Sequence, residues 1–140
     1  MTVFTEEITF RTTGEGEIVD LTDRIEDIVA RSGIGDGIVS SSVAGATAAL
    51  TVIEYEPGLV QDFPAMLERV APKGMEYAHH RTWDDGNGHS HVRASLIGPD
   101  VTSPVRGGKL IRGTWQHTVF LEFDVRPSRD RKVYVTVIGE

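Results

Sequence analysis

The opening stretch "VFTEEITFRT" alternates: Phe4, Ile8 and Phe10 fall on one side, and Thr5, Glu7, Thr9 and Arg11 on the other. Side chains that alternate with period two belong to a half-buried strand. After the turn "TGEGE" the period changes. In "IVDLTDRIEDIVARSG", Ile18, Leu21, Ile25, Ile28 and Val29 recur at helical spacing, with Asp20 or Thr22 to cap the start and Gly33 to end it. The β-branched run "GIVSSSVAGATAALTVIEYEPG" predicts two strands joined or kinked at Gly45. A second helix is predicted in "LVQDFPAMLERVAPKG", where Leu59, Val60, Phe63, Met66, Leu67 and Val70 form one stripe. Asp62 and Pro64 mark its expected start.

Beyond Gly74 the pattern reads as strand throughout: around "MEYAHHRTW", "HSHVRASLIG", "GKLIRGTWQHTVFLEFDV" and "RKVYVTVIG". Two helices from the N-terminal half and a strand-rich second half predict an α+β fold. A two-sheet architecture is the alternative, in either case without alternating βα units and in one domain over residues 1–140.

Composition narrows the chemistry more than the fold. The chain has no cysteine, which removes disulfides, thiolate metal sites and cysteine nucleophiles, and suits a cytoplasmic protein. A net charge of −7 repels phosphate backbones, so nucleic acid is not an expected partner. Four basic residues in "RPSRDRK" (126–132) are read as a solvated strand entrance. No apolar run is long enough to span a membrane, and the acidic, alternating N-terminus is unlike a signal peptide.

Four of the five histidines, His79, His80, His89 and His91, lie within thirteen residues. If "HSHVRASL" is a strand, His89, His91, Arg93 and Ser95 share a face. Two imidazoles on one face, joined by His79 or His80 from the preceding segment, would make a metal site. The alternative is that they are packed polar groups. Asp84, Asp85 and Asn87, in "DDGNG", are read as turn residues. In "GTWQHTVFLEFDV" the alternation sends His117 to the apolar face, where it is read as a packed histidine. Gln116 and Glu122 go to the polar face, where Glu122 is open to a role as ligand, general base or surface carboxylate. Glu54 closes the strand before Pro57, and the small residues from Ala44 to Ala49 leave backbone approachable to a phosphate or substrate, or serve only tight strand packing.

The stretches "GATAALTVIEYEPG", "DGNGHSHVRASLIGP", "GKLIRGTWQHTVFLEFDVRP" and "RKVYVTVIGE" resemble the YjbQ-like family, whose usual label is secondary thiamine-phosphate synthase. The resemblance runs along nearly the whole chain. It implies an α+β domain on a two-sheet, β-sandwich-like core, assembled as a homotrimer with a histidine-lined pocket near a subunit boundary, and a weak thiamine-phosphate synthase side activity. His79, His89 and His91 would hold a divalent metal, zinc or magnesium. Arg93 would take the departing diphosphate, and Glu54 and Glu122 would be ligands or orienting groups. Thr47, the remaining hydroxyl of its motif, and Gln116 of "GTWQ" would contact the bound molecule, a small phosphorylated compound.

Overall fold

The computed structural model describes all 140 residues. Strand β1 (Thr2–Arg11) leads through the short β2 (Ile18–Asp20) to helix α1 (Thr22–Ser32). Then come β3 (Gly37–Val43), β4 (Ala48–Glu54) and α2 (Pro57–Val70). A single 3-10 turn (Ala78–Arg81) precedes α3 (Gly88–Ile97). The chain ends with β5 (Asp100–Arg106), β6 (Lys109–Leu110), β7 (Gln116–Glu122) and β8 (Asp130–Gly139).

Two antiparallel sheets result, in the order β1-β8-β3-β5-β6 and β2-β7-β4. The predicted break at Gly45 sends β3 into one sheet and β4 into the other. Ile8, Val39, Val133, Val135 and Val137 of the larger sheet pack against Leu50 and Phe120 of the smaller one, and Ile25, Ile28 and Val29 of α1 complete this core. Phe10 meets Phe120 edge to face, with ring centroids 4.9 Å apart. The opposite face of the smaller sheet presents Ala49, Ile53, Val119 and Leu121 to Leu67 of α2 and Ala94 of α3. Residues alternate strictly along β7, so Phe120 enters one core while Val119 and Leu121 enter the other. No helix is long and apolar enough to cross a membrane.

Helix α1 runs from Thr22 to Ser32, with Asp20 Oδ1 accepting from Thr22 N at 3.0 Å and Gly33 ending it at φ 72°, but Ile18, expected on its stripe, belongs to strand β2. Helix α2 starts earlier than Asp62. Pro57 occupies its first turn, and the Glu56 carboxylate accepts from Gly58 N (2.7 Å) and Leu59 N (3.0 Å). Pro64 is therefore inside the helix rather than at its start.

The larger correction falls in the second half. "MEYAHHRTW" holds the 3-10 turn and "GHSHVRASLI" is α3, neither a strand. The long stretch before β8 is split into β6, a loop carrying Trp115, and β7. Along α3 the buried positions are Gly88, His89, Ser90, Arg93 and Ala94, a helical stripe whose side chains are mostly polar. Val92 and Leu96, which gave the stretch its apparent apolar alternation, are exposed. Periodicity of hydrophobicity finds a helix only when its buried face is apolar.

Candidate functional site

A helix turns residues two apart by about 200°, so His89 and His91 point away from each other. His89 and Arg93, four apart, share the buried face of α3. His91 faces the 3-10 turn, where His79 waits: the two rings have centroids 4.7 Å apart. Asp85, in the loop between them, places Oδ1 3.6 Å from His79 Nδ1. One donor atom from each of His79, Asp85 and His91 lies within 4.8 Å of the others.

Three local features fix this cluster. Asp85 Oδ1 accepts from Asn87 N (3.0 Å), holding the loop to the start of α3. Asn87 Oδ1 in turn accepts from Ser90 Oγ (2.9 Å) and from Val125 N (3.1 Å), tying that start to the segment after β7. Gly88 lets α3 lie against Tyr77, since a Cβ there would stand 2.7 Å from Tyr77 Cβ. The 3-10 turn and α3 are thereby held in register.

The donor set suits a metal of the zinc type. His91 Nδ1 donates to the Ala46 carbonyl at 2.9 Å, which fixes the ring and leaves Nε2 as the free lone pair. His79 Nδ1 is fully buried and has no hydrogen-bond partner. Buried polar atoms without partners are rare, and one beside a second imidazole and a carboxylate is what a ligand atom looks like. Two nitrogens and one carboxylate match zinc or a similar transition metal, whereas magnesium prefers an all-oxygen set.

His80 stands outside this cluster, its ring edge-on to Tyr77 at 5.8 Å. His89 is 1% exposed, its Nε2 meeting Glu15 Oε2 at 2.5 Å. Glu15 also receives Lys73 Nζ at 2.6 Å; burial raises its carboxyl, but these two partners outweigh burial and hold it below its usual range. Arg93 donates from Nε to the Ala71 carbonyl (3.0 Å) and from Nη2 to Glu68 Oε2 (2.5 Å), clamping α3 to the end of α2. The structure thus brings His79 and His91 together and places His89 and Arg93 in a separate buried network.

Glu122 faces the space between the sheets, away from the histidines. It accepts from Thr12 Oγ1 (2.6 Å) and from both Nε and Nη2 of Arg131. Thr47 Oγ1 donates to Asp124 Oδ2 at 3.0 Å and accepts from Arg131 Nη2 at 3.0 Å. Burial pushes the Asp124 carboxyl up, yet the Arg126 N–H, the Thr47 hydroxyl and Arg129 together hold it below its usual range. Glu54 and Gln116 are register partners at the far end of β4 and β7. Six residues of strand separate Glu54 from Ala48, roughly 20 Å at about 3.3 Å per residue, so neither approaches the His79–His91 pair. Gln116 Oε1 accepts from Gly113 N at 2.7 Å and shapes its own turn. His117 meets Asp20 Oδ2 through Nδ1 at 2.8 Å.

Asp85 was read from sequence as a turn residue. Its position midway between His79 and His91, six residues from each, was the signal that could have found it.

The chain is similar to known proteins along its whole length. A family model described as "UPF0047 protein YjbQ-like" matches residues 6–140. A UPF0047 protein of Archaeoglobus fulgidus is 39% identical over 132 residues, covering 94% of this chain and 99% of that one. A UPF0047 protein of Methanothermobacter thermautotrophicus is 36% identical, covering 100% and 95%. Among solved structures, a protein of unknown function from Sulfolobus solfataricus superposes with a TM-score of 0.91 at 36% identity, covering 99% of each chain. A hypothetical protein of Aeropyrum pernix gives 0.84 at 32% identity, covering 96% and 99%.

Proposed function

Because the chain belongs to the UPF0047 YjbQ-like family, and from the histidine cluster, we propose that it is a metal-dependent protein acting on a small phosphorylated molecule. One observation carries the reading: His79 Nδ1 is buried without a partner beside His91 and Asp85. His79, Asp85 and His91 would hold the metal. A divalent ion bound there would supply positive charge to a phosphate or diphosphate oxygen. The chain's own residues orient and enclose: the Ala46 carbonyl sets the His91 ring, and Asn87 holds Asp85's loop to α3.

Thiamine-phosphate synthesis, in which a thiazole phosphate displaces pyrophosphate from an aminopyrimidine, is the side activity the family resemblance suggests. It needs charge on the departing group more than a strong base. Assembly as a cytoplasmic homotrimer belongs to the same proposal.

The test joins metal content to turnover. The purified protein should carry about one zinc-class ion per chain by elemental analysis. His79→Ala, Asp85→Ala and His91→Ala should each lose it, and His117→Ala should keep it. Pyrophosphate release from the two thiamine precursors should be slow and abolished in the same three variants. Metal retained in His91→Ala overturns the ligand set. Bound metal without turnover of any phosphorylated substrate leaves the second reading, a binding protein.

A further inference from the structure

The loop joining the two sheets, Ala44–Thr47, lies beside His91 and has donors to spare. Ala44, Gly45 and Ala46 are exposed, and Thr47 is buried. The four backbone N–H groups from Ala44 to Thr47 donate to no acceptor within the chain. A run of N–H groups outside helix and strand is a common way of holding an oxyanion. By itself such a loop says little, but a second group points to the same place.

Arg131, at the start of β8, has a side chain only 3% exposed. Its Nε donates to Glu122, and its Nη2 donates to Glu122 and Thr47. Its Nη1 has no partner. The only fully buried side-chain atoms lacking partners are His79 Nδ1 and His89 Nδ1, so Arg131 Nη1 keeps a surface open to solvent. That nitrogen lies 3.0 Å from where a Cβ on residue 45 would stand. Glycine at 45 leaves Nη1 uncovered by a side chain on the loop, and the next residue, Ala46, holds His91 Nδ1 through its carbonyl at 2.9 Å.

We propose that the Ala44–Thr47 loop is a phosphate subsite, with Arg131 Nη1 and the loop N–H groups holding the anion next to the histidine cluster. It rests on the reading of the protein as one that acts on phosphorylated molecules, and it assigns the phosphate-recognising cation to Arg131. A guanidinium held on one edge by Glu122 presents its other edge already oriented, which suits a tetrahedral oxyanion. Within the basic stretch 126–132, read from sequence as a solvated strand entrance, Arg131 is buried.

The probes are inorganic phosphate and pyrophosphate, titrated by calorimetry into the full-length protein, both stripped of metal and loaded with zinc. Gly45→Val fills the space before Nη1 without removing the Arg131–Glu122 pair. The wild type should bind saturably in both metal states. Gly45→Val should bind at least about tenfold more weakly, with unchanged zinc content and melting temperature. Arg131→Met is a second variant, expected to lose binding where it folds. Equal affinity in Gly45→Val and wild type, no saturable binding in the wild type, or binding only with zinc present overturns the subsite. Gly45-dependent phosphate binding in a protein that takes up no zinc would instead retain the subsite and remove the metal reading.

Discussion

At the scale of single residues, buried polar side chains fall into two kinds. Some are fully satisfied and structural; others keep a free atom. Glu122 and Arg131 are 1% and 3% exposed and pair across the gap between the sheets. Removing one partner of such a pair leaves an uncompensated buried charge, a loss of about 3–5 kcal/mol. Glu122→Ala should therefore lower the unfolding free energy by roughly that amount in urea titrations. Thr12 and Thr47, which bond to the pair, should lose their order with it. A loss under about 1 kcal/mol would mean that water or a rearranged partner satisfies Arg131. The sequence placed Glu122 on the polar face of its strand, open to a role as ligand, base or surface carboxylate; the structure buries it. Its partner was not legible there, because Arg131 reaches it from a strand of the other sheet.

At the scale of elements, the site depends on how closely α3 approaches the segment that carries His79. Gly88 sits against Tyr77, and Tyr77 Oη anchors the segment by donating to the Pro72 carbonyl at 2.7 Å. Gly88→Ala places a methyl group 2.7 Å from Tyr77 Cβ, where side chain and backbone must shift. Overpacking of this kind costs about 1–3 kcal/mol. The same shift separates His91 from His79, so zinc affinity should fall about tenfold or more. Competition with a chromophoric chelator measures it. Unchanged zinc affinity in a destabilised Gly88→Ala would show that the cluster does not depend on this approach. The glycine itself stood out in "DGNGHSH" as a turn residue. Its actual role, contact with an aromatic ring eleven residues earlier, is a property of the packed elements.

At the scale of the whole molecule, apolar surface remains uncovered. Met66 and Val70 of α2 are 52% and 58% exposed, Leu96 of α3 is 56% exposed, and Trp83 is 76% exposed. Both helices cover one face of the smaller sheet, so Met66, Val70 and Leu96 lie on the outer, helical layer, and Trp83 is on the segment between the two helices. Exposed apolar groups gathered on one layer ask for a protein cover. The proposed trimer supplies it. Light scattering at micromolar concentration should give close to three times the 15.3 kDa chain mass. Met66→Glu combined with Val70→Glu should shift the protein towards monomer without unfolding it, because neither side chain is in the core. A wild-type monomer would reject this cover.

Local sequence determined the strands β1, β7 and β8, helix α1, the crossing at Gly45 and the family. In β1, β8 and α1 one side is buried and mostly apolar, so the period of burial is written as a period of hydrophobicity; β7 is buried on both faces, Phe120 in one core and Val119 and Leu121 in the other. The concentration of histidines between 79 and 91 likewise announced where the chemistry lies. Which histidines meet was decided only by the tertiary structure. Helix α3 buries His89, Ser90 and Arg93, and their partners are Glu15, the Phe123 carbonyl, and Glu68 with the Ala71 carbonyl. A polar residue can be buried only if a partner meets it, and these partners are brought by α2, β7 and the loop before β2. With them in place the segment is helical, His89 turns inward, and His91 turns to His79 and Asp85.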